Sequence, residues 1–204
     1  MMAPTHRMGG LLTGITVVNC INSYTTVGGM IAIIPGTIIG CYLCDIDNGN
    51  SRISYRWKIV RFFVAAGQML IRIIAFFLPQ KQKKYVLRLI GHRGLFHSLF
   101  MVLLCTAPII VAGICTPIFG SFIIGYGIGI GLGMLSHITL DALSGGVSPL
   151  LPFSDKPVVL AQIKTGGFIE WLLLSALTII TAIVTIHMLP VITNIFHQMI
   201  QKNI

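Results

Sequence analysis

Long apolar runs separated by short polar turns set the plan of this chain. Five of them, 8–24, 28–44, 95–115, 118–136 and 168–189, approach the roughly 20 residues that a bilayer requires. Inside lipid the backbone must satisfy its own hydrogen bonds, and runs this long without alternation read as helices rather than barrel strands. The first two are short and joined by Asn22 to Thr26, which predicts a tight helical hairpin. The fourth carries Gly120, Gly125, Gly127, Gly129, Gly131 and Gly133. Glycines four apart let helices approach closely, so this helix is predicted at the centre of the bundle.

A sixth segment, 56–78, has a different pattern. Arg61, Gln68 and Arg72 share one stripe of a 3.6-residue helix, opposite Phe62, Val64, Leu70, Ile73 and Ile74. Only ten uncharged residues separate Arg61 from Arg72, too few to cross, so the segment is predicted to lie in the membrane interface. Pro79 then ends it, residues 80–84 read as a basic linker, and 191–204 read as a short amphipathic tail.

Composition strengthens this picture. Of the 204 residues, 55% are hydrophobic and 9% charged, with a mean hydropathy of +0.90. Soluble domains carry about 25% charged residues, and this chain has too few to cover a soluble surface. The expectation is one all-α membrane domain, residues 1–204, a polytopic bundle of about five transmembrane helices plus one interfacial amphipathic helix. No cleavable signal pattern is present, so the first apolar run is expected to stay in the mature protein.

The net charge of +9 is unevenly placed: ten of the fourteen Lys and Arg fall between Arg52 and Arg93. Such an excess marks a cytoplasmic segment and suits anionic headgroups. No basic module interleaved with aromatics is visible, which argues against nucleic acid as a partner. The five cysteines sit in or beside apolar runs, and Cys41 and Cys44, although spaced as CxxC, are expected to pack as small hydrophobes.

Only five carboxylates and six histidines are present, so their placement is informative. With Arg52 to Arg93 cytoplasmic, counting helices puts His6, Asp45, Asp47, His92, His97, His137, Asp141 and Glu170 at one membrane face. His137 and Asp141 are four apart and share a helix face, which suits a shared metal or a carboxylate-oriented imidazole. Asp45 and Asp47 would repel side by side without a cation. His92 and His97 are five apart, but Gly91 and Gly94 permit a bend that turns both inward. Arg93 is planar and always charged, suited to a phosphate or carboxylate on a substrate. Mixed imidazole and carboxylate donors favour zinc or manganese, and eight candidates leave room for two ions. His187 and His197 fall on the opposite side and are read as structural, and Asp155 as a loop tip.

The ordered set Thr5-His6, Cys44-Asp45-Ile46-Asp47, Gly91-His92-Arg93-Gly94 with His97-Ser98, His137 with Asp141, then Gly146-Val147 and Leu151-Pro152-Phe153 resembles the YdjM-like family of inner-membrane, LexA-regulated, metal-dependent hydrolases. The resemblance covers nearly the whole chain and departs from the family pattern at Cys44, Asn48, Phe96 and Ser144-Gly145. It implies metal or catalytic roles for His6, Asp45, Asp47, His92, His97, His137 and Asp141, with Glu170 beside them, and a place in the bacterial inner (cytoplasmic) membrane. The resulting expectation is hydrolysis of a phosphoester or ester in a lipid or lipid-linked substrate at the cytoplasmic face. In it Asp47 and Glu170 serve as ligand or base, and Arg93 holds the substrate's phosphate. The competing readings are a divalent-cation transporter, which needs ligands at mid-membrane depth, and a scaffold whose His and Asp groups satisfy one another.

Overall fold

The computed structural model describes residues 1–21, 26–47, 58–91 and 93–202, and among these the regular elements are all helices, without a strand. Seven α-helices follow in order: α1 (Ala3–Ile21), α2 (Val27–Leu43), α3 (Lys58–Phe76), α4 (Gln80–Leu89), α5 (Leu99–Ile114), α6 (Gly120–Ala142) and α7 (Phe168–Lys202). Short 3-10 turns cover Cys44–Asp47 and Leu95–His97, and one isolated bridge joins Val147 to Val158. Three stretches, Val27–Ile46, Gly120–Ala142 and Phe168–Pro190, are long and apolar enough to cross a membrane. Phe62–Phe76 and Leu99–Ile114 are apolar but shorter.

Helix α6 lies at the centre, against α1, α2 and α5, as its glycines predict. Gly125, Gly129 and Gly133 face α2 so closely that a Cβ on each would overlap the backbone of Gly29, Ile33 and Thr37 respectively. Gly36 and Gly40 of α2 return the contact against the carbonyls of Tyr126 and Ile130. In lipid there is little hydrophobic drive between apolar helices, so this direct backbone packing is what holds the pair. It also carries the C-terminal end of α2 against the last turns of α6. There Cys44 joins Ile130, Met134, Ile138 and Ala142 in a buried cluster. Cys41 Sγ donates to the carbonyls of His6 (3.3 Å) and Gly133 (3.4 Å), so the two cysteines are packing residues here.

Several element boundaries differ from those expected. Helix α1 begins at Ala3, with Pro4 in its first turn where a missing N–H costs nothing, so His6 lies inside the helix. Residues 80–84, expected as a linker, form the first half of α4; Gln, Lys, Leu and Arg are straight-chain helix formers, and Pro79 precedes them at the cap. Helix α7 continues through Pro190 to Lys202 instead of ending near Leu189, because a proline removes a single intrahelical bond and bends a helix more readily than it stops one.

Helix α3 exposes Phe62, Phe63, Met69, Leu70 and Ile73, and Ala75 is buried. The side chain of Arg61, part of its predicted polar stripe, lies outside the described ones. Gln68, on that stripe, donates to the carbonyl of Ile90 at 3.3 Å, tying α3 to the end of α4. Helix α4 in turn docks on the segment after α6: Arg88 reaches Asp155 and Ser148 Oγ, each at 3.0 Å, and the Tyr85 hydroxyl donates to the carbonyl of Pro152.

Candidate metal centre

Four helix ends meet at one end of the bundle, and each delivers a His or Asp. His6 comes from the first turns of α1 and Asp45 from the turn that follows α2. His97 closes the turn before α5, and His137 and Asp141 occupy one face of the last turns of α6. Local sequence explains the sharpest of these positions. Arg93 takes a left-handed φ of 61°, and a Cβ on Gly94 would come within 2.6 Å of the carbonyls of Arg88 and Gly91. Glycine is therefore required where the chain doubles back to aim His97 inward. Ser98 fixes the next step, its Oγ accepting from Met101 N (3.3 Å) as the N-cap of α5 and donating to the Leu95 carbonyl (2.6 Å).

The donor atoms converge. Asp141 Oδ1 lies 3.3 Å from His6 Nε2, and Asp141 Oδ2 lies 3.3 Å from His97 Nε2 and 3.7 Å from His137 Nε2. Asp45 Oδ1 lies 3.7 Å from His137 Nε2 and 3.9 Å from His97 Nε2. The rings of His6 and His137 stack, with centroids 3.7 Å apart and planes 8° from parallel. His6, His97, His137 and Asp141 are buried, whereas the Asp45 side chain is 25% exposed and marks the open side of the cluster.

This geometry is one that can hold a metal ion. Nδ1 of His6 is buried without a hydrogen-bond partner, and Nε2 of His137 stands 3.7 Å from both carboxylates, beyond hydrogen-bond range, although buried polar atoms are nearly always satisfied. Two donors each about 2.1 Å from a tetrahedral ion would stand about 3.4 Å apart, close to the spacings seen here. Two groups of donors have this character, His6 with His137 and Asp141, and Asp45 with His97 and His137.

The other expected residues fall around the cluster in different ways. Arg93 spans Asp141 with a fork, Nε to Oδ2 at 3.1 Å and Nη2 to Oδ1 at 3.2 Å, and also reaches Ser144 Oγ at 2.8 Å. The Met1 amine lies 3.1 Å from Asp141 Oδ1 as well. Glu170 is fully buried with a separate set of partners: Oε1 accepts from Met2 N (2.5 Å) and Thr5 Oγ1 (3.0 Å), and Oε2 from Gly166 N (2.7 Å). It pins the first turn of α1, and with it His6, to the start of α7. Asp47 ends its 3-10 turn, but its side chain and the whole of His92 lie outside the described residues. Asp155 pairs with Arg88 on the surface, His187 is exposed on α7, and the side chain of His197 is outside the described ones.

Sequence reasoning passed over Ser144 and Thr5 as partners. Ser144 is three residues beyond Asp141, a spacing that keeps it near that carboxylate at a helix end. The Arg93 fork supports a prediction. Arg93→Lys keeps the charge but loses the planar pair of donors, and hydrogen bonds to charged groups are worth about 1.5–3 kcal/mol each. The variant is expected to lower the apparent melting temperature clearly, whereas Arg88→Lys at the exposed Asp155 pair is expected to leave it nearly unchanged.

These features define a helical membrane protein with a buried His and Asp centre at one end of its bundle, suited to hold a metal ion. The chain belongs to the YdjM inner membrane protein family, whose model matches residues 1–203. No curated protein and no solved structure matches it.

Proposed function

We propose that the chain is a metal-dependent hydrolase acting on a phosphoester or ester of a lipid or lipid-linked substrate at the cytoplasmic face of the inner membrane. The observation that carries this reading is the convergence of imidazole and carboxylate donors from His6, Asp45, His97, His137 and Asp141, with nitrogen-to-oxygen spacings of 3.3–3.9 Å. His137 Nε2 lies 3.7 Å from both Asp45 Oδ1 and Asp141 Oδ2, and one nitrogen lone pair serves one ion. The described residues therefore favour a single ion; a second would draw on His92 and Asp47. A zinc or manganese ion there supplies Lewis acidity and an activated water near neutral pH.

The protein's own groups do the rest. Arg93 neutralises Asp141 and stands beside the centre, with donor capacity left on Nη1, where it meets an anionic head. Asp45, the partly exposed member, stands where water and substrate enter. Glu170 acts as a positioning residue, holding the turn that presents His6.

In this proposal α1, α2, α5, α6 and α7 cross the membrane while α3 and α4 lie along its surface. Asp45 and His97 are 3.9 Å apart, so the chain between them leaves and returns at one end of the bundle. Helix α4, with Lys81, Lys83, Lys84 and Arg88, is too charged to be one of two crossings, so α3 does not cross either. The basic surface of this pair concentrates anionic amphiphiles near the centre.

The test is metal analysis of the purified full chain together with turnover on a panel of amphiphilic phosphoesters and carboxylic esters. About one bound ion per chain is expected, with hydrolysis of at least one substrate lost on chelation and restored by zinc or manganese. A protein that holds no ion at all and turns over nothing on the panel would overturn the proposal.

A further inference from the structure

Beside the centre, a groove of about 320 Å³ opens between α1, α6 and α7. Leu12 and Thr13 of α1, Leu132, Leu135 and Leu140 of α6 and Leu177 of α7 form its walls. The volume lies at the lower end of the roughly 300–1,000 Å³ typical of ligand sites. Two of its hydroxyls are already engaged by their own helices, Thr13 donating to the Gly9 carbonyl (2.8 Å) and Thr139 to the Leu135 carbonyl (2.9 Å). Those two offer an occupant carbon surface, and with Ser136 Oγ as the remaining side-chain polar atom the walls are mainly apolar, which gives an ion little reason to enter.

The position of the groove points to its occupant. α6 and the lining part of α7 belong to stretches long and apolar enough to cross a membrane, so the opening faces hydrocarbon. One end adjoins the His and Asp cluster. His6, Gly9 and Thr13 follow one another on one stripe of α1, and Ser136 and Leu140 immediately precede His137 and Asp141 on α6. From His6 to Thr13 is about 10 Å along the helix axis. Gly9 sets the depth of the floor, since a Cβ there would come 2.6 Å from Leu140 Cδ1 and 3.0 Å from Ser136 Oγ.

We propose that this groove takes one hydrocarbon chain of the substrate lipid and thereby places its head at the His and Asp cluster. Head placement rests on the hydrolytic reading above; occupation of the groove by a chain can be measured without it. The probes are dipalmitoyl and dihexanoyl phosphatidic acid, and their retention by the purified full chain is counted by native mass spectrometry. Dipalmitoyl phosphatidic acid is expected to be retained and to outcompete the dihexanoyl form. Leu135→Trp and Leu177→Trp, which fill the groove from two different helices, should each weaken retention by about tenfold or more, since each buried methylene is worth about 0.8 kcal/mol. Bound metal should not change in either variant, and Leu103→Trp, on the exposed face of α5, should bind as the parent does. Equal competition by the two lipids, or full retention by both groove variants, overturns the proposal. Chain-length preference and variant sensitivity in a protein that hydrolyses no lipid would leave the groove standing and remove the hydrolytic reading instead.

Discussion

Replacing His137 with leucine is expected to abolish stoichiometric metal and lower turnover by more than about a hundredfold, because even residues that only orient a metal ligand cost 10–100-fold when removed. His137 Nε2 faces both Asp45 and Asp141, so its loss opens both groups of donors at once. Leucine keeps much of the ring's volume and its contact with His6 while removing Nε2, a buried nitrogen that stands 3.7 Å from both carboxylates, beyond hydrogen-bond range. An apolar group in place of unsatisfied polar atoms is nearly neutral or stabilising, so the metal-free variant should melt no lower than the metal-free parent. This separates the metal reading from a scaffold in which His and Asp merely satisfy one another, which predicts a clear fall in stability. The matched control is His187→Leu on the exposed surface of α7, expected to change neither metal nor activity. Metal content, turnover and melting of the two variants decide the matter, and full metal retention without His137 would sink the assignment.

The second large effect is structural. Gly133→Ala adds only one methyl group, but that carbon would overlap the backbone carbonyl of Thr37, and a backbone group has no rotamer to yield. Overpacking costs about 1–3 kcal/mol where side chains can adjust, and this substitution should reach or exceed the upper end. Separating α2 from α6 also draws Asp45 away from His137, so metal affinity should fall together with the melting temperature. Gly28→Ala, on the same α2 but with no atom within 4 Å of the added carbon, should be neutral or slightly stabilising. Equal melting of the two alanine variants would show that the helices do not pack backbone to backbone.

Much of this was legible in the sequence, for reasons that differ from element to element. Glycines 125, 129 and 133 announce a close approach because no other residue type serves there, and the spacing of His137 and Asp141 states a shared helix face directly. Helix α4 was not legible: ten residues, four of them basic, give too few turns for a pattern to emerge, and its dock on Asp155 and Pro152 depends on a loop distant in sequence. The continuation of α7 past Pro190 was hidden because proline marks both breaks and bends. In the site, the donor set can be listed from composition, but its partners cannot. Arg93 looked free to meet a substrate until the fold placed Asp141 and Ser144 across from it, and Glu170 gained its partners on α1 through contacts 165 or more residues apart.

The glycine seam between α2 and α6 has a consequence for the cluster at its end. With backbone resting on backbone, the seam has no side chain that can repack to lengthen or shorten it. The seam thereby holds the end of α2, and the turn that carries Asp45, against the last turns of α6, where Asp45 Oδ1 stands 3.7 Å from His137 Nε2. A small ion with bonds near 2 Å fits that gap. Calcium, which wants 6–8 oxygen donors, is disfavoured by the imidazoles in the cluster and not by the width of the gap. The place where the donors meet is thus set by a run of residues that have no side chains at all.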